Sequence, residues 1–134
     1  MQSRVFGLDE ANRLVPHLTR TFETVRGLVA RTRALQARVA LLPRDSAQRP
    51  GLETERDALV ARVKEELAKL DEIGVEIKDV EGLVDFRAQM EGRIVFLCWR
   101  YPEARVDHWH ELDAGYSGRR QIDDGFKFQK SFLS

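Results

Sequence analysis

Apolar residues recur at intervals of mostly three and four in the first third of the chain. Val15, Leu18, Phe22, Val25, Val29 and Val39 form a stripe that Leu14, Leu28, Leu35 and Leu42 widen. That period predicts an amphipathic α-helix from about Leu8 to about Leu42. Phe6-Gly7-Leu8-Asp9-Glu10 supplies its start: an apolar residue before the cap, Glu10 able to reach back, and acids where the helix dipole favours them. Pro16 removes one helical hydrogen bond and is expected to bend the first turns, aiming the Asp9 to Asn12 end at the rest of the fold. Pro43 to Pro50 is a polar connection with breakers at both ends. A second helix is predicted from about Leu52 to Ile73, with Leu59, Val60, Val63, Leu67 and Leu70 on its apolar side and Gly74 as its stop. Together they read as an antiparallel hairpin, wide enough in its apolar stripe to meet a third surface.

After Gly74 the period changes to two. Val75 to Lys78 and Leu83 to Arg87 read as short strands separated by a turn at Asp79 to Gly82, and Glu91-Gly92 turns into a further hairpin. Its two runs, Ile94 to Arg100 and Arg105 to Glu111, flank Tyr101 to Ala104. Placing Arg100 opposite Arg105 pairs Phe96 with Trp109, Leu97 with His108 and Cys98 with Asp107. One face then carries Phe96, Cys98, Arg100, Asp107, Trp109 and Glu111, and the other Leu97, Trp99, Val106, His108 and His110. A slip of one residue exchanges the faces of one strand. The predicted fold class is α+β: a long antiparallel helical hairpin (about 8–73), then a small three- to four-stranded antiparallel meander with a glycine-rich loop (about 75–123). With a tail at 124–134, whose Phe126, Phe128 and Phe132 offer docking surface, the whole of 1–134 reads as one domain.

Composition narrows the function classes. Lysine plus arginine and aspartate plus glutamate number 22 each over 134 residues, so no net field recruits nucleic acid or an anionic membrane. A single cysteine excludes an internal disulfide and fits a reducing compartment. Neither a signal segment nor an apolar run long enough for a membrane span is present, so the cytoplasm is the expected location.

Candidate chemistry gathers in Gly92 to Arg120, which holds both tryptophans, the cysteine and two of the three histidines. His108 and His110, two apart on a strand, share a face and with Glu111 suggest a zinc or iron site, with a further ligand from Glu76 or His17. In the register above, Cys98, Glu111 and Asp113 point the other way, and the alternative is two histidines in a polar network. Arg100, Glu111, Asp113 and Arg119, joined by Lys78, Asp79 and Asp85, suggest an ion-pair cluster around the glycine loop. Beside Trp99, Trp109 and Tyr116 it would suit a small anion, or it would only hold the loop. Cys98 between Leu97 and Trp99 reads as a buried small hydrophobe rather than a nucleophile.

The LCWR and WHELDAGYSGR segments, with KDVEGLVDF and FGLDEANRLVP upstream, resemble a bacterial family of uncharacterised proteins, domain of unknown function 2203. Trp109, His110, Glu111, Asp113, Gly115, Tyr116, Gly118 and Arg119 match its motif in order. The resemblance implies membership and no activity. The leading reading is a non-enzymatic binding or regulatory module with Arg100, Trp109, His110, Glu111, Asp113, Tyr116 and Arg119 as its ligand-binding residues and no catalytic group. Its partners are a small anionic ligand or a protein, and the chain itself as a homodimer. The rival is a small zinc- or iron-dependent enzyme using His108, His110 and Glu111. A third reading, a structural dimer, predicts no pocket.

Overall fold

The computed structural model describes residues 4–123 and residue 128. Two helices, α1 (Leu8–Leu41) and α2 (Arg49–Ile73), precede five strands: β1 (Glu76–Asp79), β2 (Leu83–Met90), β3 (Arg93–Arg100), β4 (His108–His110) and β5 (Arg120–Gln121). The strands form one antiparallel sheet in chain order. The α+β class and the helical hairpin are as expected, with one strand more than the alternation reveals.

Gly7 begins α1 from an extended conformation, and its N–H donates to Glu10 Oε1 at 3.4 Å. The helix runs through Pro16 without a break. Its early turns do meet the sheet end: Asn12 Oδ1 accepts from the Val106 N–H at 2.7 Å and its Nδ2 donates to the Val106 carbonyl at 3.3 Å. Helix α2 starts three residues before the predicted point because Pro50 suits a first turn, where its missing N–H costs nothing. Gly74 closes α2 at φ 103°, a left-handed conformation that glycine adopts freely.

Ala11, Val15, Leu18, Phe22 and Val25 of α1 pack with Leu70 of α2 against Val84, Phe86, Ala88 and Met90 of β2, Val95, Leu97 and Trp99 of β3, and Trp109 of β4. Beyond that, Leu28 and Leu35 pack with Leu59, Leu52 and Val63 of α2 in a second cluster, so the hairpin extends past the sheet as a two-helix arm. Phe6 donates its N–H to the Arg87 carbonyl at 2.8 Å, and Phe128 bridges to Met90; both cover the β2 edge that β1 leaves open. The expected docking of Phe126 and Phe132 falls outside the described residues. Among the described residues no helix is long and apolar enough to cross a membrane.

Two sequence expectations need correction. Residues 105–107 are not strand: the Val106 backbone is committed to Asn12, and β4 begins only at His108. The β3–β4 register is also one residue away from the expected one, pairing Phe96 with His110, Leu97 with Trp109 and Cys98 with His108. Trp109, 1 % exposed, therefore joins Leu97 in the core, and His108 and His110 move to the outer face with Phe96 and Cys98.

Candidate functional site on the outer sheet face

Across the outer face Glu76, Asp85, Cys98, His108 and Gln121 lie in one row of directly opposed positions, with Arg87, Phe96 and His110 in the next. Among the described residues no helix covers this face, yet Asp85, Cys98 and His110 are 4 %, 0 % and 2 % exposed. Arg119, which follows the glycine loop, reaches back over them. One of its terminal N–H groups lies 3.8 Å from Cys98 Sγ and 3.1 Å from Glu103 Oε1, and the other donates to Glu103 Oε2.

At the centre, His110 Nε2 lies 3.1 Å from both carboxylate oxygens of Asp85, and Nδ1 lies 2.8 Å from the Glu111 carbonyl. A carbonyl only accepts, so Nδ1 carries a hydrogen and Nε2 is turned to Asp85. One proton is thus shared between Nε2 and the carboxylate, and neither polar group is buried alone. Burial, then the Asp85 charge, pushes the Cys98 thiol up to about 12, against the lowering pull of Arg119. A thiol so protonated is a poor nucleophile. Iodoacetamide at pH 8 should alkylate the folded protein roughly 10³-fold more slowly than the urea-unfolded chain, followed by intact mass; equal rates would show that Cys98 is not held on this face.

Glu103 organises the rim. Its carbonyl accepts from Trp99 Nε1 at 2.9 Å and its carboxylate accepts from the Arg100 N–H at 2.7 Å, besides binding Arg119. Burial pushes this carboxyl up, but the hydrogen bonds from Arg119 and Arg100 and the charge of Arg119 outweigh it and hold the group below its ordinary value. A depressed folded-state value stabilises above the unfolded value of about 4.3, and this contribution is lost as pH falls through the lower folded one. The melting temperature should accordingly fall more steeply below about pH 4.3 in the native protein than in Glu103→Gln; parallel profiles would deny the coupling.

The remaining groups arrange around this rim. The exposed Arg100 donates to Tyr116 Oη at 3.1 Å and stacks over its ring at 5.2 Å, with Arg119 over the same ring at 4.5 Å. His108 Nδ1 lies 2.7 Å from an Asp107 carboxylate oxygen and 4.0 Å from Glu103, making a second, half-exposed cluster. Of the sequence-derived residues, Arg100, Tyr116 and Arg119 come together, while His110 lies on the same face with Asp85 and Cys98. Trp109 lies on the inner face, Glu111 pairs with Arg93 at 2.8 Å, and Asp113 is exposed in the turn. Glu103 was missed, having no signal beyond its place in a turn. The solitary Asp85 inside the apolar LVDF run was the strongest available sign of a buried partner.

These features define a small α+β protein with a long helical hairpin on one face of a five-stranded meander and a buried polar cluster on the other. Residues 4–122 match the sequence model of an uncharacterised conserved protein family, DUF2203, and the chain belongs to that family. No curated protein and no solved structure matches it significantly.

Proposed function

We propose that the protein is a cytoplasmic, non-enzymatic binding module that takes a small ligand or peptide end bearing a carboxylate or phosphate at the Arg100–Tyr116 end of the sheet. The observation that carries this reading is the cleft of about 200 Å³ lined by Arg26 of α1, by Asp79, Arg100 and Tyr101, and by Tyr116 of the glycine loop. Arg26 is engaged by Glu81 at 3.0 Å and stacks on Tyr101. Arg100 spends one donor on a phenol oxygen and keeps the rest of its fork for an anion, beside an aromatic surface for stacking. Asp79, across Leu83 from Arg100, lines the same cleft and suits a ligand that carries a cation beside its anion, while Glu81 is held by Arg26 and Arg33. The module is favoured over a metal enzyme built on His108, His110 and Glu111 because those groups have separate partners: Asp107, Asp85 and Arg93.

Amide NMR titrations with inorganic phosphate and with succinate test the reading. Shifts should centre on Gly82, Arg100 and Tyr116, and Arg100→Ala should weaken binding about 10-fold or more, the worth of a hydrogen bond to a charged group. No saturable shifts with either probe, or shifts unchanged in Arg100→Ala, would overturn it.

A further inference from the structure

We propose that the outer sheet face holds one divalent transition metal ion, with zinc the best fit, through Cys98 Sγ, His110 Nε2 and an Asp85 carboxylate oxygen. The set shares only His110 with the one the sequence suggests, because the one-residue change of register brings Cys98 to the histidine face and leaves Glu111 with Arg93.

Three observations support it. The first is convergence: the candidate ligand atoms of these three residues, on three adjacent strands, all lie within 4.8 Å of one another. Thiolate, imidazole and carboxylate make a borderline-soft set suited to zinc, whose tetrahedral bond lengths put ligand atoms about 3.2–3.8 Å apart. Nε2 and the Asp85 oxygens, at 3.1 Å, need only open slightly, and Sγ has to close in by about an ångström or less. The second is orientation. The His110 Nδ1–H donates to the Glu111 carbonyl at 2.8 Å, the backbone bond that commonly fixes the ring of a ligating histidine and aims its other nitrogen. The third is charge: a dication with one thiolate and one carboxylate is neutral, and Arg119 and Glu103 beside it neutralise each other. The buried face therefore gains no net charge, and the Arg119 N–H near Sγ becomes a donor to the coordinated sulfur.

On binding, bonds form from the ion to sulfur, nitrogen and oxygen. The thiol proton and the proton shared by Nε2 and Asp85 leave to solvent, and no electron is transferred. The second Asp85 oxygen or a water completes four-coordination.

Cobalt(II), titrated into untagged protein stripped with chelator, is the probe, with zinc as competitor. The expected result is one ion per chain, tetrahedral visible bands, and a sulfur-to-cobalt charge-transfer band that Cys98→Ala abolishes. Asp85→Asn should weaken binding at least 10-fold, since loss of even an outer-shell partner costs that much. His108→Ala and Glu111→Gln should leave spectrum and affinity unchanged. If Asp85→Asn does not fold by circular dichroism, Cys98→Ala, a small buried substitution, carries the test. No cobalt spectrum in the native protein would overturn the proposal. So would binding that survives Cys98→Ala, or a spectrum lost in His108→Ala, which would put the ion on Glu103, Asp107 and His108.

Discussion

Asp85→Ala is expected to lower the unfolding free energy by about 3–5 kcal/mol in urea denaturation, the usual result of breaking a buried ion pair from one side. The effect exceeds the value of the hydrogen bonds themselves. Nδ1 of His110 is fixed by the Glu111 carbonyl, so without Asp85 the Nε2 edge faces a site from which water is nearly excluded, with Phe96 5.5 Å away between ring centroids. Either the ring stays neutral with an unsatisfied nitrogen, or a lone cation is buried; both are costly. Asp85→Asn keeps a hydrogen-bonding partner and should cost less. The double variant Asp85→Leu with His110→Leu should recover much of the loss, because removing both partners leaves no orphaned group. A cost under about 1 kcal/mol for Asp85→Ala, the range of exposed pairs, would mean that water reaches the site.

Trp99→Ala should be comparably severe, about 3–5 kcal/mol, through the cavity that a large aromatic leaves in a close-packed core. Trp99 is fully buried, with its ring centroid 6.0 Å from that of Phe22 on α1 and 6.4 Å from that of Tyr101. It therefore joins helix, sheet and the turn after β3. Its Nε1 also holds the Glu103 carbonyl, and Glu103 holds Arg119 over Cys98, so the core tryptophan is tied to the outer face through one turn. Trp99→Phe separates the two roles. It keeps much of the packing and loses a hydrogen bond worth about 1 kcal/mol, and by loosening Glu103 it should speed alkylation of Cys98. Unchanged alkylation in Trp99→Phe would show that Glu103 is positioned by Arg100 and Arg119 alone.

The helices were legible because their burial is one-sided over many turns, and the start of α1 and the stop of α2 because Glu10 and Gly74 have local reasons to stand where they do; the start of α2 was not, since Pro50 breaks a helix and begins one equally well. The meander was legible from alternation and glycine turns. Its last strand was not: Arg120 and Gln121 are both exposed, and a two-residue strand pairing only through its backbone leaves no apolar trace. The register was lost at Val106. Val106 and Trp109 are three apart and cannot share a face of a regular strand, yet both lie in the same core, because the chain turns to Asn12 at Val106 and enters the sheet only at His108. Extending the alternation back through 105–107 gave β4 the wrong phase. The candidate site followed the same fate. Arg100, Tyr116 and Arg119 were visible as charge and aromatic groups around a glycine loop. The meeting of Asp85 with His110 depends on the register, which no local pattern encodes.

Everything assigned to the outer face depends on which side of β4 faces the helices, and side-chain proton contacts from nuclear Overhauser spectra read this directly. The His110 ring should contact Phe96, and the Trp109 indole should contact core side chains around Leu97 on the inner face. Contacts of Trp109 with Phe96, together with His110 among the inner-face side chains, would return β4 to the other phase and dismantle both the Asp85–His110 pair and the site built around it.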